Sequence, residues 1–258
     1  MPLIIEIDDA GDSRLELYRN VKDRDLTGRD GLFMAEGQVV LERLFSSKIC
    51  RTTNVLTTRE RLKNLDISTL PGDVPVYVVA QAVIDAVAGF AVHRGYLALG
   101  QYAPPIDFTD IITGSRLRIL ALSAIANTDN MGGLMRNAAA FGVDAVLIDT
   151  ACCDPLYRKA IRVSVGGVFQ VPHYRIDNLI GTLKTNGITA YALSPSGKIV
   201  LDEVRPASRS AFLFGAEGPG LAKDVLAACM TVRIDMHGGF DSLNVATTSG
   251  IVLYHMCR

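Results

Sequence analysis

The C-terminal half of the chain alternates short apolar runs with amphipathic segments. Residues 118–125, RILALSAI, are almost uninterruptedly apolar and predict a strand buried on both faces. The loop ANTDNMGG comes next, and GLMRNAAAFG predicts a helix that ends at Gly142. VDAVLID reads as the next buried strand, residues 159–165 as a helix and VFQVPHY as a strand. Residues 178–186 predict a helix, TAYALS and SAFLFG two strands, and residues 221–229 another helix. The final stretch, TVRIDMHGGFDSLNVATTSGIVLYHM, reads strand, loop, helix. Val232, Ile234 and Met236 alternate as a half-buried strand requires. Asp241 or Ser242 supplies a helix cap, and Leu243, Ala246, Gly250, Leu253 and Cys257 fall near one helix face. Alternating strands and helices predict a mostly parallel sheet covered on both sides, with ligands at the carboxyl ends of its strands. Three loops there are polar or glycine-rich: ANTDNMGG, GAEGPG and HGGFDSLN.

The N-terminal half is patterned less strongly. Residues 1–13 are acidic and carry little periodicity, and the next segment predicts a helix and a loop. Residues 32–35 predict a strand and GQVVLERLFSS a helix that buries Val40, Leu41, Leu44 and Phe45. NVLTT, VPVYVVA and RGYLALGQY predict further strands, with helices at RERLKNL and QAVIDAVAGF. This is the pattern of a small α/β domain. Prolines and polar residues then mark a linker. The expected organisation is an N-terminal domain over residues 1–102, a linker over 103–115 and a C-terminal domain over 116–258.

Composition narrows the function classes. The net charge of −1 does not advertise nucleic-acid binding. Residues 14–63, however, hold 11 Lys/Arg against 7 Asp/Glu, a local balance of +4. Lys48, Arg51, Arg59, Arg61 and Lys63 cluster there and are candidate phosphate contacts. No run has the roughly 18 apolar residues of a membrane span, and the N-terminus lacks a signal-peptide pattern. A cytoplasmic location is therefore expected. The five cysteines are odd in number and lack metal spacing, which fits reduced thiols. The four histidines also lack metal spacing, so no metal is expected.

GAEGPG at 215–220 lies between a predicted strand and a helix, but it is not G-x-G-x-x-G and no G-K-[ST] follows. Glu217 would repel a phosphate, so a neutral or cationic ligand suits this loop better. The missing dinucleotide fingerprint also disfavours a nicotinamide-dependent enzyme. Taken in order, N127-(x)2-N130-x-G132-(x)3-R136-N-A-(x)2-F141-G142, LFGAEGPGL and IDM-(x)5-SLNVA resemble the three motifs of the SpoU/TrmH-type RNA 2′-O-ribose methyltransferases, in the SPOUT class. The resemblance covers residues 116–258. RKAIRVSVGGVFQVP is similar to the family's segment between its first and second motifs, and FMAEGQVVLERL to the substrate-binding domain that often precedes it.

This resemblance implies an α/β fold: a parallel-sheet SPOUT domain with a deep trefoil knot, preceded by a small substrate-binding domain. It implies S-adenosylmethionine as cofactor, held by Leu193, Gly215, Gly218, Ile234, Met236, Leu243 and Asn244. Arg136, Asn127, Glu217, Ser242 and Asn244 are the implied catalytic residues. A homodimer built on the first-motif and C-terminal helices is implied, with RNA as substrate; ribosomal and transfer RNA both suit the family, and the separate N-terminal domain tilts the expectation toward ribosomal RNA. A catalytically silent RNA-binding dimer is the contrasting possibility. Two departures stand out: TTSG after SLNVA, which would affect dimer packing, and Asp235 where the family commonly has proline. For methyl transfer to a hydroxyl, in-line positioning is worth about 7–11 kcal/mol and a general base about 3–5 kcal/mol. Arg136 is awkward as a base because arginine stays protonated, whereas its planar fork suits a phosphate beside the target ribose.

Overall fold

A computed structural model describes residues 2–19, 31–88, 95–103, 107–238, 240 and 242–257. The chain packs into two units, 1–105 with 156–170, and 106–155 with 171–258. Leu156–Gln170, expected in the C-terminal domain, thus packs with the N-terminal unit. Its Phe169 ring stacks on Phe33 with centroids 5.1 Å apart. Two bonds hold its backbone. Arg43 Nη1 donates to the Val165 carbonyl at 2.7 Å, and Ser47 Oγ donates to the Phe169 carbonyl at 2.6 Å.

The N-terminal unit holds five strands: β1 (Leu3–Glu6), β2 (Leu32–Glu36), β3 (Cys50–Thr57), β4 (Pro75–Val78) and β5 (Tyr96–Tyr102). Their order is β1-β4-β3-β5-β2. β5 is antiparallel to both neighbours, while β1, β4 and β3 pair in parallel. β1 carries no marked periodicity because it is an edge strand, with Leu3 and Ile4 left exposed. Helix α1 (Gln38–Phe45) buries Val40, Leu41, Leu44 and Phe45, as its spacing predicts. α2 (Gln81–Ala88) sends Val83, Ile84 and Val87 into a core with Leu15, Tyr18, Met34, Leu56 and Leu97. Burying these side chains is worth about 1.5–3 kcal/mol each before the entropy of ordering the chain is subtracted.

The C-terminal unit holds seven strands: β6 (Leu117–Leu122), β7 (Ala145–Ile148), β8 (His173–Arg175), β9 (Thr189–Leu193), β10 (Ile199–Val200), β11 (Arg209–Phe214) and β12 (Met230–Arg233). They lie in the order β10-β12-β9-β11-β6-β7-β8, and every pair is parallel. All residues of β6 and β7 are buried, which explains why they are apolar throughout except for the buried Arg118. Its helices include α3 (Thr128–Ala140), α4 (Leu179–Thr185), α5 (Lys223–Ala227) and α6 (Val245–Met256).

Several boundaries differ from expectation. Asn127 caps α3, so residues 128–132 of the expected loop are helical. Arg136 is therefore the ninth residue of the helix and not part of its opening turns. VFQVPHY divides into a 3-10 turn, Gly167–Phe169, and the short β8, since Pro172 has no amide to continue a ladder. β12 stops at Arg233, so Ile234 and Met236 lie on irregular backbone. Asn244, rather than Asp241 or Ser242, caps α6; Asp241 itself lies outside the described residues. The buried face of α6 is Ser249, Val252, Leu253 and Met256. No helix among the described residues is long and apolar enough to cross a membrane.

Candidate active site

Parallel strands deliver their loops to one end of the sheet, and three such loops enclose a cavity of about 520 Å³. Leu193, Ser194 and Pro195 come after β9. Gly215, Ala216, Glu217 and Gly218 come after β11. Ile234 and Met236 come after β12, and Ser242, Leu243 and Asn244 lead into α6. All seven residues expected at the cofactor therefore line a single cavity. Its walls mix aliphatic and polar side chains, with Glu217 and Arg233 as the charged ones.

The glycine loop is shaped by its own backbone. A β-carbon at Gly215 would lie 2.4 Å from the Gly220 carbonyl carbon and 2.5 Å from Leu221 N. The loop closes there on a bond from Gly220 N–H to the Ala216 carbonyl, 3.0 Å. Gly218 has φ +87, a conformation that side-chain-bearing residues rarely adopt. Arg233, which also lines the cavity, is tied down. Its Nε donates to Asp235 Oδ1 at 2.8 Å, and its Nη1 to the Gly197 and Lys198 carbonyls at 3.0 and 3.2 Å. Asp235, the departure from proline, is thus the partner that orients Arg233.

Asn244 joins the three sequence blocks. Its Oδ1 accepts from Ala246 N at 2.9 Å and Thr247 N at 3.4 Å, closing the N-terminus of α6. Its Nδ2 donates to Asn130 Oδ1 at 2.8 Å and to Glu217 Oε1 at 2.9 Å. A carboxamide has two donor hydrogens and two acceptor lone pairs, so this one is fully used within the protein. Asn244 therefore positions its neighbours. Asn130 is 6% exposed and comes from the first turn of α3. Asn130 belongs to the first motif, yet its spacing alone assigns it no role, because a buried acceptor and a helix-surface asparagine look alike in sequence.

The same two helices meet further along. A β-carbon at Gly133 would lie 2.6 Å from that of Ala246, so the backbones approach closely. Asn137 Nδ2 donates to the Ala246 carbonyl at 2.7 Å and to Ser249 Oγ at 2.8 Å. Ser249 is fully buried in this contact, so the serine of TTSG packs inside its own chain.

Asn127 and Arg136 stand apart from the cavity lining. Asn127 is exposed, and its Oδ1 accepts from Asp129 N at 2.7 Å and Asn130 N at 3.4 Å. Arg136 is exposed and its side chain has no hydrogen-bond or ion-pair partner among the described residues. The turn before α3 is held from β7. Asp149 accepts from Ser123 Oγ at 2.7 Å and from Ala124 N at 3.1 Å, and Ala124 sits at φ +56. Burial works to raise the Asp149 pKa, but the bonds from Ser123 and Ala124 outweigh it and leave the carboxyl below its ordinary value. The thiols are poor nucleophiles here, since burial pushes Cys152 up to about 12 and Cys153 up to about 11.

Known proteins resemble this chain in sequence and in fold. The model of the SpoU rRNA Methylase family matches residues 118–254. An uncharacterized tRNA/rRNA methyltransferase of Mycobacterium bovis is 36% identical over 98% of this chain and 91% of its own length. Solved structures share the fold along nearly the whole chain. An AdoMet-bound rRNA methyltransferase from Sinorhizobium meliloti superposes with a TM-score of 0.79 at 19% identity, covering 98% of this chain and 97% of its own. The SpoU methyltransferase AviRb from Streptomyces viridochromogenes, in complex with AdoMet, gives 0.77 at 19% identity, covering 96% and 97%. With a family match across its seven-stranded unit and a relative aligned end to end, this chain belongs to the SpoU methylase family.

Proposed function

We propose that this protein uses S-adenosylmethionine to methylate a ribose 2′-hydroxyl in structured ribosomal RNA. The observation that carries the reading is the junction at Asn244, where three sequence-distant blocks meet around one cavity. The lining suits the cofactor. Leu193, Ile234, Met236 and Leu243 offer apolar contact to an adenine and to the methylene chain of a methionine. Glu217 offers negative charge to a cationic ligand, and Gly215 and Gly218 let the backbone of this wall close into a tight turn. When bound, the cofactor supplies a methyl group activated on a sulfonium. Ser242, exposed at the rim, is the polar group placed to orient the ribose. Asn244 fixes the Glu217 carboxylate and the entry of α6. Arg136 acts on RNA rather than on the cofactor, its fork gripping the phosphate beside the target ribose. Asn127 sets the start of the helix that carries it.

The proposal includes a homodimer packed through α3 and α6, whose exposed Ile251 and Tyr254 supply apolar surface. It includes a trefoil knot in the C-terminal backbone and a cytoplasmic location. Ribosomal RNA is favoured by the description of the matching family. The test is to map ribose methylations in RNA from a strain lacking the protein. Loss of one 2′-O-methyl site in ribosomal RNA is expected. Loss confined to transfer RNA would move the substrate, and loss of a base methylation would overturn the ribose assignment.

A further inference from the structure

An RNA-modifying enzyme must hold its substrate, and the role inferred here for the N-terminal unit rests on that reading of the chain. β1, β3 and β4 run one way and β5 returns, so the segments after β3 and β4 meet the start of β5 at one end of the sheet. There the Arg61 guanidinium carbon lies 5.9 Å from the centroid of the Tyr96 ring. Arg61 Nη1 donates to Gln81 Oε1 at 2.5 Å, and Gln81 Nε2 donates to Asp85 Oδ1 at 2.9 Å. Gly95, with φ +58, makes room: a β-carbon there would fall 1.4 Å from Arg61 Nη1. The result is a planar cation laid across Gly95 and Tyr96 and fixed by a carboxamide. Holding a long side chain in this way costs rotamer freedom that an ordinary surface arginine keeps.

Charge decides what such a surface suits. Arg59, Arg61 and Lys63 share this end with Glu6, Glu60 and Asp85, and Arg59 is paired with Glu6. Positive and negative groups balance, which makes a poor track for phosphates. A guanidinium held on an aromatic ring instead suits the face of an unstacked base. We propose that Arg61, Tyr96 and Gln81 form a platform for one unpaired nucleotide of the substrate RNA. The base stacks on the Arg61–Tyr96 pair, which the Gln81 carboxamide holds in place.

The test uses the full chain and two short RNA probes, a hairpin with an unpaired loop carrying 2-aminopurine and a blunt duplex of equal length. Binding is read by anisotropy, stacking by 2-aminopurine fluorescence, and the integrity of each variant by circular dichroism and cofactor calorimetry. The wild type should favour the hairpin by about tenfold and quench its loop fluorescence. Arg61→Lys keeps the charge but not the plane and should abolish that preference while duplex binding stays unchanged. Tyr96→Leu should do the same, and Tyr96→Phe should retain the preference. Wild-type preference that survives both Arg61→Lys and Tyr96→Leu overturns the platform alone. Failure of the wild type to bind either RNA overturns the platform and the reading beneath it.

Discussion

The two sheets use sequence in opposite ways. In the N-terminal unit, Lys48 to Lys63 look like one basic cluster, yet β3 occupies eight of those residues in extended form. At about 3.3 Å per residue the strand spans roughly 26 Å, with Lys48 and Arg51 at its start and Arg59, Arg61 and Lys63 beyond its end. Arg51 there bonds Gln101, whereas Arg61 bonds Gln81 at the other end. In the C-terminal unit, Asn130, Glu217 and Asn244 span more than a hundred positions, yet the Asn244 carboxamide donates to both of the others. Parallel strands explain this, because every carboxyl end points the same way and distant loops become neighbours. Closeness in sequence is thus a poor guide to a shared surface in the first unit, and distance no obstacle in the second.

If the C-terminal site depends on that convergence, the junction should be its most sensitive point. Asn244→Ala removes a helix cap and strands the buried Asn130 oxygen, so methyl transfer should fall by about 10²–10³-fold with weaker cofactor binding. Asn244→Asp keeps the cap but sets a carboxylate against Glu217, and should do little better at neutral pH. Calorimetry beside single-turnover assays checks both variants. Wild-type behaviour of either would dissolve the proposed linkage.

Arg136 separates RNA from cofactor. Arg136→Ala should lower single-turnover methylation by about 10²-fold, and Arg136→Lys should fail nearly as badly because a point charge does not replace a fork. Cofactor affinity should hardly change in either. A lysine variant with most of the activity would reduce the role of Arg136 to simple charge attraction.

The support beneath α3 should matter less. Asp149→Asn weakens the hold on Ser123 and Ala124 and should reduce turnover by about tenfold, near 1.4 kcal/mol, with cofactor affinity intact. Adding Ala124→Gly relaxes the positive φ and should restore part of the loss. The sign with pH comes from the lowered carboxyl. Its contribution to stability is complete above the unfolded pKa and is lost as pH falls through the folded value. Acid denaturation curves of wild type and Asp149→Asn should therefore converge at low pH. Parallel curves would remove Asp149 from this role.

Much of the C-terminal fold is legible in the sequence because β6, β7 and β11 are almost wholly buried and are therefore mostly apolar. The residues that line the cavity are legible through motif order. Other features are not. β1 is an edge strand, β10 has two residues, and neither imposes a pattern. The true start of α3 is hidden because Gly132 and Gly133 look like loop residues. Gly133 is needed where α6 crosses. That Leu156–Gln170 packs with the N-terminal unit is invisible in sequence, since a segment's own periodicity does not say which core receives it. Arg233 and Asn130 escape notice because their roles depend on partners 36 and 114 positions away.

The central claim is that the three-loop cavity supports methyl transfer to ribose. Its most direct test incubates the full chain with RNA from the deletion strain and methyl-labelled S-adenosylmethionine, then digests the RNA to nucleosides for mass analysis. Label is expected in a 2′-O-methyl nucleoside, and it should fall steeply with Gly218→Val, whose side chain is incompatible with φ +87. Label on a base, or full incorporation by the Gly218→Val protein, would contradict the account.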